Sequence, residues 1–173
     1  MLLKAGRLAA ACAAAMLAAG CAHAAPPPPI PSPNETPAVR AARDARGADP
    51  CALPTGEQLA TLGVRGPATP GPAPEGPHCE WRGRPELGIT LYTDGGGIAT
   101  LARNSEPTTS RVRLGGYPAL ETFTGAGEFC QYDVAVAATQ VLSASLDGGT
   151  PDSCTALQRV LPGVVANLPA LPA

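Results

Sequence analysis

A chain of 173 residues with a formal charge of −2 has room for one folded domain and its appendages. Lys4 is the single lysine against eleven arginines, and without Lys4 and Arg7 the remainder holds ten basic and fourteen acidic side chains, near −4. That balance, with only 3% aromatic residues, excludes nucleic acid as a partner: there is no basic face to displace counterions and little to stack on bases.

The first element is a leader. Lys4 and Arg7 make a short positive region, and Leu8 to Ala19 is a twelve-residue apolar run that contains Cys12. A bilayer core needs roughly twenty apolar residues, so the run reads as a signal peptide over 1–20 and not as a span. Leu17-Ala18-Ala19-Gly20-Cys21 looks like a lipobox, in which small residues precede a cysteine that takes a diacylglycerol and becomes the new N-terminus. Its departure is Ala18, where leucine is commoner. The competing site is Ala22-His23-Ala24, which would release a soluble protein starting near Ala25. Lipidation of Cys21 is the favoured reading, with the membrane as a partner through that lipid and the cell membrane's outer face as the location.

Residues 21–47 are rich in proline and alanine without apolar periodicity, Pro26-Pro27-Pro28-Pro29 above all. Such a segment favours polyproline II and, at about 3.1 Å per residue, forms a tether of up to roughly 80 Å.

The remainder, 48–173, reads as one α+β domain. Thr55 and Gln58 have the spacing of a capping box, Leu59 and Leu62 give a stripe, and Gly63 is placed to stop a short helix. The Pro/Gly-rich stretch from Arg65 to His78 is expected as a mobile loop, with a strand beginning at Cys79-Glu80-Trp81. Leu87, Ile89 and Leu91 alternate in the next strand, which ends at Asp94-Gly95-Gly96-Gly97. Ile98 to Arg103 fits a helical turn or a strand. Val112 and Leu114 alternate in a further strand, Gly115 to Ala119 is expected to turn, and Leu120–Phe123 follows. Tyr132, Val134 and Val136 predict a strand with Leu142, Ala144 and Leu146 as its hairpin partner. The last element is a helix opened by Pro151 and Asp152 and interrupted by Pro162, where a kink is expected. The order predicts an antiparallel sheet of about five or six strands flanked by an N-terminal and a C-terminal helix.

Four cysteines remain in the domain: Cys51, Cys79, Cys130 and Cys154. An even count in an exported chain points to disulfides, for which three connectivities exist. Cys51–Cys79 with Cys130–Cys154 is preferred: the first pins the opening helix to a strand across the proline loop, the second pins a strand to the last helix. Bridges of this size are worth roughly 3–4 kcal/mol each. A metal or redox site is disfavoured, since the cysteines lie far apart and form no C-x-x-C pair.

Asp49-Pro50-Cys51 before a helix, Cys79-x-Trp81, Gly116-Tyr117-Pro118-Ala119, Cys130 before an alternating strand and Cys154 in a helix ending Asn167-Leu168-Pro169 together resemble a family of actinobacterial lipoproteins known as a domain of unknown function. The resemblance covers roughly residues 48–169. It implies a secreted, lipid-anchored envelope protein, and a fold loosely like that of the Mog1/PsbP group. It brings no activity, so no functional residue is carried over beyond Cys21.

Candidate chemistry is sparse. His23 lies in the leader or tether, and His78 is expected as an exposed loop residue; no G-x-S-x-G elbow accompanies any serine. Glu80, Glu86, Asp94, Glu121, Glu128, Asp133 and Asp147 are all in the domain, with no spacing that singles out a pair. Asp94-Gly95-Gly96-Gly97 and Gly125-Ala126-Gly127 read as turns and not phosphate loops. Tyr117 is the exposed candidate of most interest, with packing on a sheet edge as the plainer reading. The function expected is a non-catalytic binding or interaction module for an envelope protein, peptide or lipid, without cofactor or metal. The alternative is an envelope-polymer hydrolase, which would need two carboxylates converging in one cleft.

Overall fold

Seven antiparallel strands and three helices make up the computed structural model of the protein, which describes residues 41–105, 108–124, 129–149 and 152–172. The strands are β1 (Ala68–Ala73), β2 (Gly76–Trp81), β3 (Glu86–Tyr92), β4 (Thr109–Leu114), β5 (Tyr117–Thr124), β6 (Phe129–Ala135) and β7 (Val141–Asp147). Helix α1 spans Gly56–Thr61, α2 Ile98–Arg103 and α3 Ser153–Ala166. The sheet order is β1-β2-β3-β7-β6-β5-β4. One meander, β1 to β3, builds half of the sheet; the chain crosses through α2 to the far edge and meanders back, so that β7 closes beside β3.

The extra strand is β1, which corrects the expected loop over Arg65–His78. Its prolines, Pro70 and Pro72, lie opposite Cys79 and Pro77, two residues apart on an edge strand. A proline there needs no partner, because the amide it lacks would point away from the sheet. In consequence Trp81 ends β2 instead of opening it. The expected five-residue turn at Gly115–Ala119 is also shorter: Leu114 pairs with Tyr117, leaving Gly115 and Gly116 as a two-residue hairpin loop. Their φ angles of 56° and 92° are the left-handed values that such a loop requires and glycine adopts without strain.

Period-two alternation gives the sheet two unlike faces. Cys79, Trp81, Leu87, Ile89, Leu91, Cys130, Tyr132, Val134, Leu142, Ala144 and Leu146 point to one side and share a core with Leu157, Leu161, Val164, Val165 and Leu168 of α3 and its C-terminus. Each fully buried Leu or Ile there is worth about 1.5–3 kcal/mol over leaving it in water. Thr55 caps α1 as the spacing predicts, its hydroxyl accepting from the Gln58 N–H at 3.2 Å while Gln58 Oε1 accepts from the Thr55 N–H at 2.8 Å. Helix α3 continues past Pro162 to Ala166; Pro151 lies outside the described residues.

Cys51 is joined to Cys79 with Cα atoms 5.1 Å apart, and Cys130 to Cys154 with 5.3 Å, the pairing preferred from the sequence. The first ties the one-turn helix Pro50–Ala52, ahead of α1, to β2, and the second ties α3 to β6.

The fold also begins earlier than residue 48. Ala45 is fully buried, the Arg43 N–H donates to the Val136 carbonyl at 2.9 Å, and Asp44 and Leu171 exchange main-chain bonds with Pro169 and Ala42. Composition hides this: alanine in a tether and alanine in a core are the same letter.

Candidate functional site

The second sheet face is mostly polar, and α2 packs on its β5–β6 end. Strand register arranges this face in rungs. One rung runs His78, Thr90, Ser143, Asp133, Leu120 and Arg111 across β2, β3, β7, β6, β5 and β4; the next runs Glu80, Gly88, Ser145, Gln131, Thr122 and Thr109. His78 Nδ1 lies 2.9 Å from Thr90 Oγ1, Gln131 Nε2 donates to Asp133 Oδ1 at 3.0 Å, and the hydroxyls of Thr109 and Thr122 are 2.8 Å apart.

Gly88 sits in the middle of this face. A Cβ on it would stand 2.9 Å from Ser145 Oγ and 3.5 Å from His78 Cε1. A mid-strand glycine weakens a strand and leaves room for another group to approach the backbone. Here that place is taken by the Ser145 hydroxyl and the edge of the His78 ring, with Glu80 opposite Gly88 and Thr90 next along the same face of β3. Toward the β3–α2 loop the face opens into a cavity of about 570 Å³ between Glu75, Tyr92, Asp94 and Leu101. On the other side of Leu101 lies a hollow of about 230 Å³ lined by Asn104, Thr122, Gln131 and Asp133.

Asp133 is the electrostatic centre of the face, buried beneath α2 with 7% of its surface exposed. Burial raises its carboxyl above the usual carboxylate range, and hydrogen bonds from Ser143 and Gln131 pull only partly the other way. Tyr92 is likewise pushed up, first by burial and then by the charges of Asp133 and Glu75. At the β2–β3 end, Arg82 Nε donates to Glu80 Oε2 at 2.7 Å and holds Glu80 below its ordinary value; Glu86, hydrogen-bonded to Glu80, is raised, first by that contact and then by burial.

The predicted site residues fall in several places. His78 is corrected from exposed loop residue to half-buried member of β2 on the polar face, because the proline loop that was to precede it is a strand. Glu80 and Glu86 come together; Glu121 lies on the opposite face, accepting from the Tyr132 hydroxyl at 2.7 Å. Asp94 is exposed in the β3–α2 turn, 4.0 Å from Arg46. Tyr117 is corrected from exposed to buried, its hydroxyl donating to the Ala41 carbonyl at 3.0 Å. Glu121 lies close to both Cys130 and Cys154, but those sulfurs are bonded to each other and are not thiolate ligands. Cys21, His23, Glu128 and Gly125-Ala126-Gly127 lie outside the described residues. Sequence reasoning missed Gly88, Thr90, Ser143, Ser145 and Gln131; the signal was a glycine at the outward position between Leu87 and Ile89.

These features define a disulfide-braced α+β domain with one sheet face sealed by helices and the other polar. Over residues 8–167 the chain matches the family model described as "Protein of unknown function (DUF3558)", and it belongs to that family. No curated protein and no solved structure matches it.

Proposed function

We propose that this is an envelope lipoprotein, held to the outer side of the membrane by a lipid on Cys21, whose domain binds a hydroxyl-rich envelope ligand on its polar sheet face. The observation that carries the reading is a polar face on which β3 omits a side chain at Gly88, with Ser145 and His78 packed about it, and β6 keeps the buried Asp133 carboxylate where burial opposes its charge. The surrounding hydroxyl, amide and imidazole groups suit a saccharide-bearing partner better than an acyl chain. Titrating the secreted Cys21→Ala chain with saccharide fractions of its host's envelope, followed by amide NMR, tests this. Shifts centred on Gly88, Thr90 and Ser145 are expected; shifts that avoid β3 and β7 in every fraction would reject it.

A second reading, an envelope-polymer hydrolase, is favoured by the contact between Glu80 and Glu86, whose pKa values are pushed apart as in an acid–base pair. Neither carboxylate lines the cavities beside Tyr92 and Asp133. Turnover of a labelled wall polymer that Glu86→Gln abolishes would establish this reading in place of the first.

A further inference from the structure

The two edges of the sheet are chemical opposites. At β1, Pro70 and Pro72 remove the outward amides, so that edge cannot accept another strand. At β4 the sequence Thr109-Ser110-Arg111-Val112-Arg113-Leu114 has no proline. The two-residue hairpin makes Leu114–Tyr117 a hydrogen-bonded pair, and alternation then commits Val112 and Ser110 to β5. Pro118, opposite Arg113, fits this register, since it has no amide to donate. The main-chain groups of Thr109, Arg111 and Arg113 therefore point away from the sheet.

Both sides of that edge are equipped. On the polar side stand the exposed Arg111 and Arg113; Arg113 Nη2 donates to the Gly116 carbonyl at 2.6 Å, and Arg111 makes no ion pair among the described residues. On the helical side a cavity of about 320 Å³ opens beside Ser110, lined also by Glu121, Cys154 and Phe123. Phe123 is 43% exposed, the one exposed large hydrophobic among the described residues. A second copy laid antiparallel on β4 would set arginine against arginine, which disfavours self-pairing. The chain's own 26–37 segment carries seven prolines and too few amide donors to add as a strand.

We infer that β4 receives an extended acidic segment of a partner protein as an eighth strand. Carboxylates two residues apart face Arg111 and Arg113, and an apolar side chain next to the carboxylate at Arg111, opposite Ser110, enters the hollow against Phe123. This is the β4 edge of the sheet, four strands from Gly88 on β3, and it stands without that reading.

The test uses the secreted Cys21→Ala chain and two end-blocked peptides, one repeating Thr-Glu-Val-Glu and one repeating Thr-Lys-Val-Lys, with calorimetry and amide exchange. The Glu peptide is expected to bind, to protect the Arg111 and Arg113 amides, and to weaken as salt rises. Arg111→Pro, which removes an outward amide and spares the β4–β5 ladder, is expected to weaken it at least tenfold, as is Phe123→Ser. Arg111→Glu with Arg113→Glu is expected to reverse the preference toward the Lys peptide, a readout that holds if the proline variant folds poorly. No binding of the Glu peptide, equal binding of both peptides by the native sequence, or protection elsewhere than β4 would overturn the proposal. So would sedimentation showing a dimer that Arg111→Pro dissolves, since the occupant would then be a second copy.

Discussion

Asp133 and Gly88 are residues that a fold optimised only for stability would not choose. A carboxyl raised by burial binds its proton more tightly folded than unfolded, so its stabilising contribution is complete below the ordinary carboxylate value of 3.8. Between that value and the raised one the native state holds more protons, and stability falls as pH rises. Asp133→Asn removes the buried charge. It is expected to raise the melting temperature at pH 7, with the difference from the native protein closing as the pH drops below about 4. The same variant is expected to lose saccharide-induced shifts, which separates a ligand role from a purely structural one. Gly88→Ala is expected to abolish binding while leaving the melting temperature within a few degrees, because the new methyl meets the end of a serine side chain that can turn away. Neither residue was legible in advance for a simple reason. A glycine flanked by leucine and isoleucine reads as a weak point of a strand, and a carboxylate between Tyr132 and Val134 as its solvent side. Only the register across β3, β7 and β6 brings the two onto one face.

At the scale of elements, legibility follows periodicity. β3, β6, β7 and α3 were readable because each buries one stripe of apolar side chains, and the α1 cap was readable because its hydrogen bonds are local. β1 was not, since proline is commonest in loops and only its place at a sheet edge makes it tolerable. Pro70→Thr with Pro72→Thr restores the outward amides. It is expected to turn a monodisperse protein into one that self-associates with concentration, measured by sedimentation velocity. The Cys130–Cys154 bond pins α3 to β6, at a sequence separation of 24. Replacing both by serine is expected to cost about 3 kcal/mol in denaturant unfolding, with a smaller loss if the unfolded chain stays compact.

For the whole molecule, the proposed leader and lipid on Cys21 would decide where any of these surfaces meets a partner. In the native host, Cys21→Ala is expected to move the protein from the membrane fraction to the medium or soluble fraction, and intact mass should show a diacylglycerol on the native chain alone. Recovery of unmodified native protein starting near Ala25 would place it among freely secreted proteins instead.

The clamp formed by Ala42–Ala45 against Pro169–Leu171 brings the first and last described segments side by side. Any pull applied to the chain ahead of Ala42 is therefore taken first by a few main-chain bonds to the carboxyl-terminal tail and to Val136, ahead of the cross-linked strands. A reporter fused to the carboxyl-terminal tail would consequently emerge beside residues 42–45, where the described chain begins.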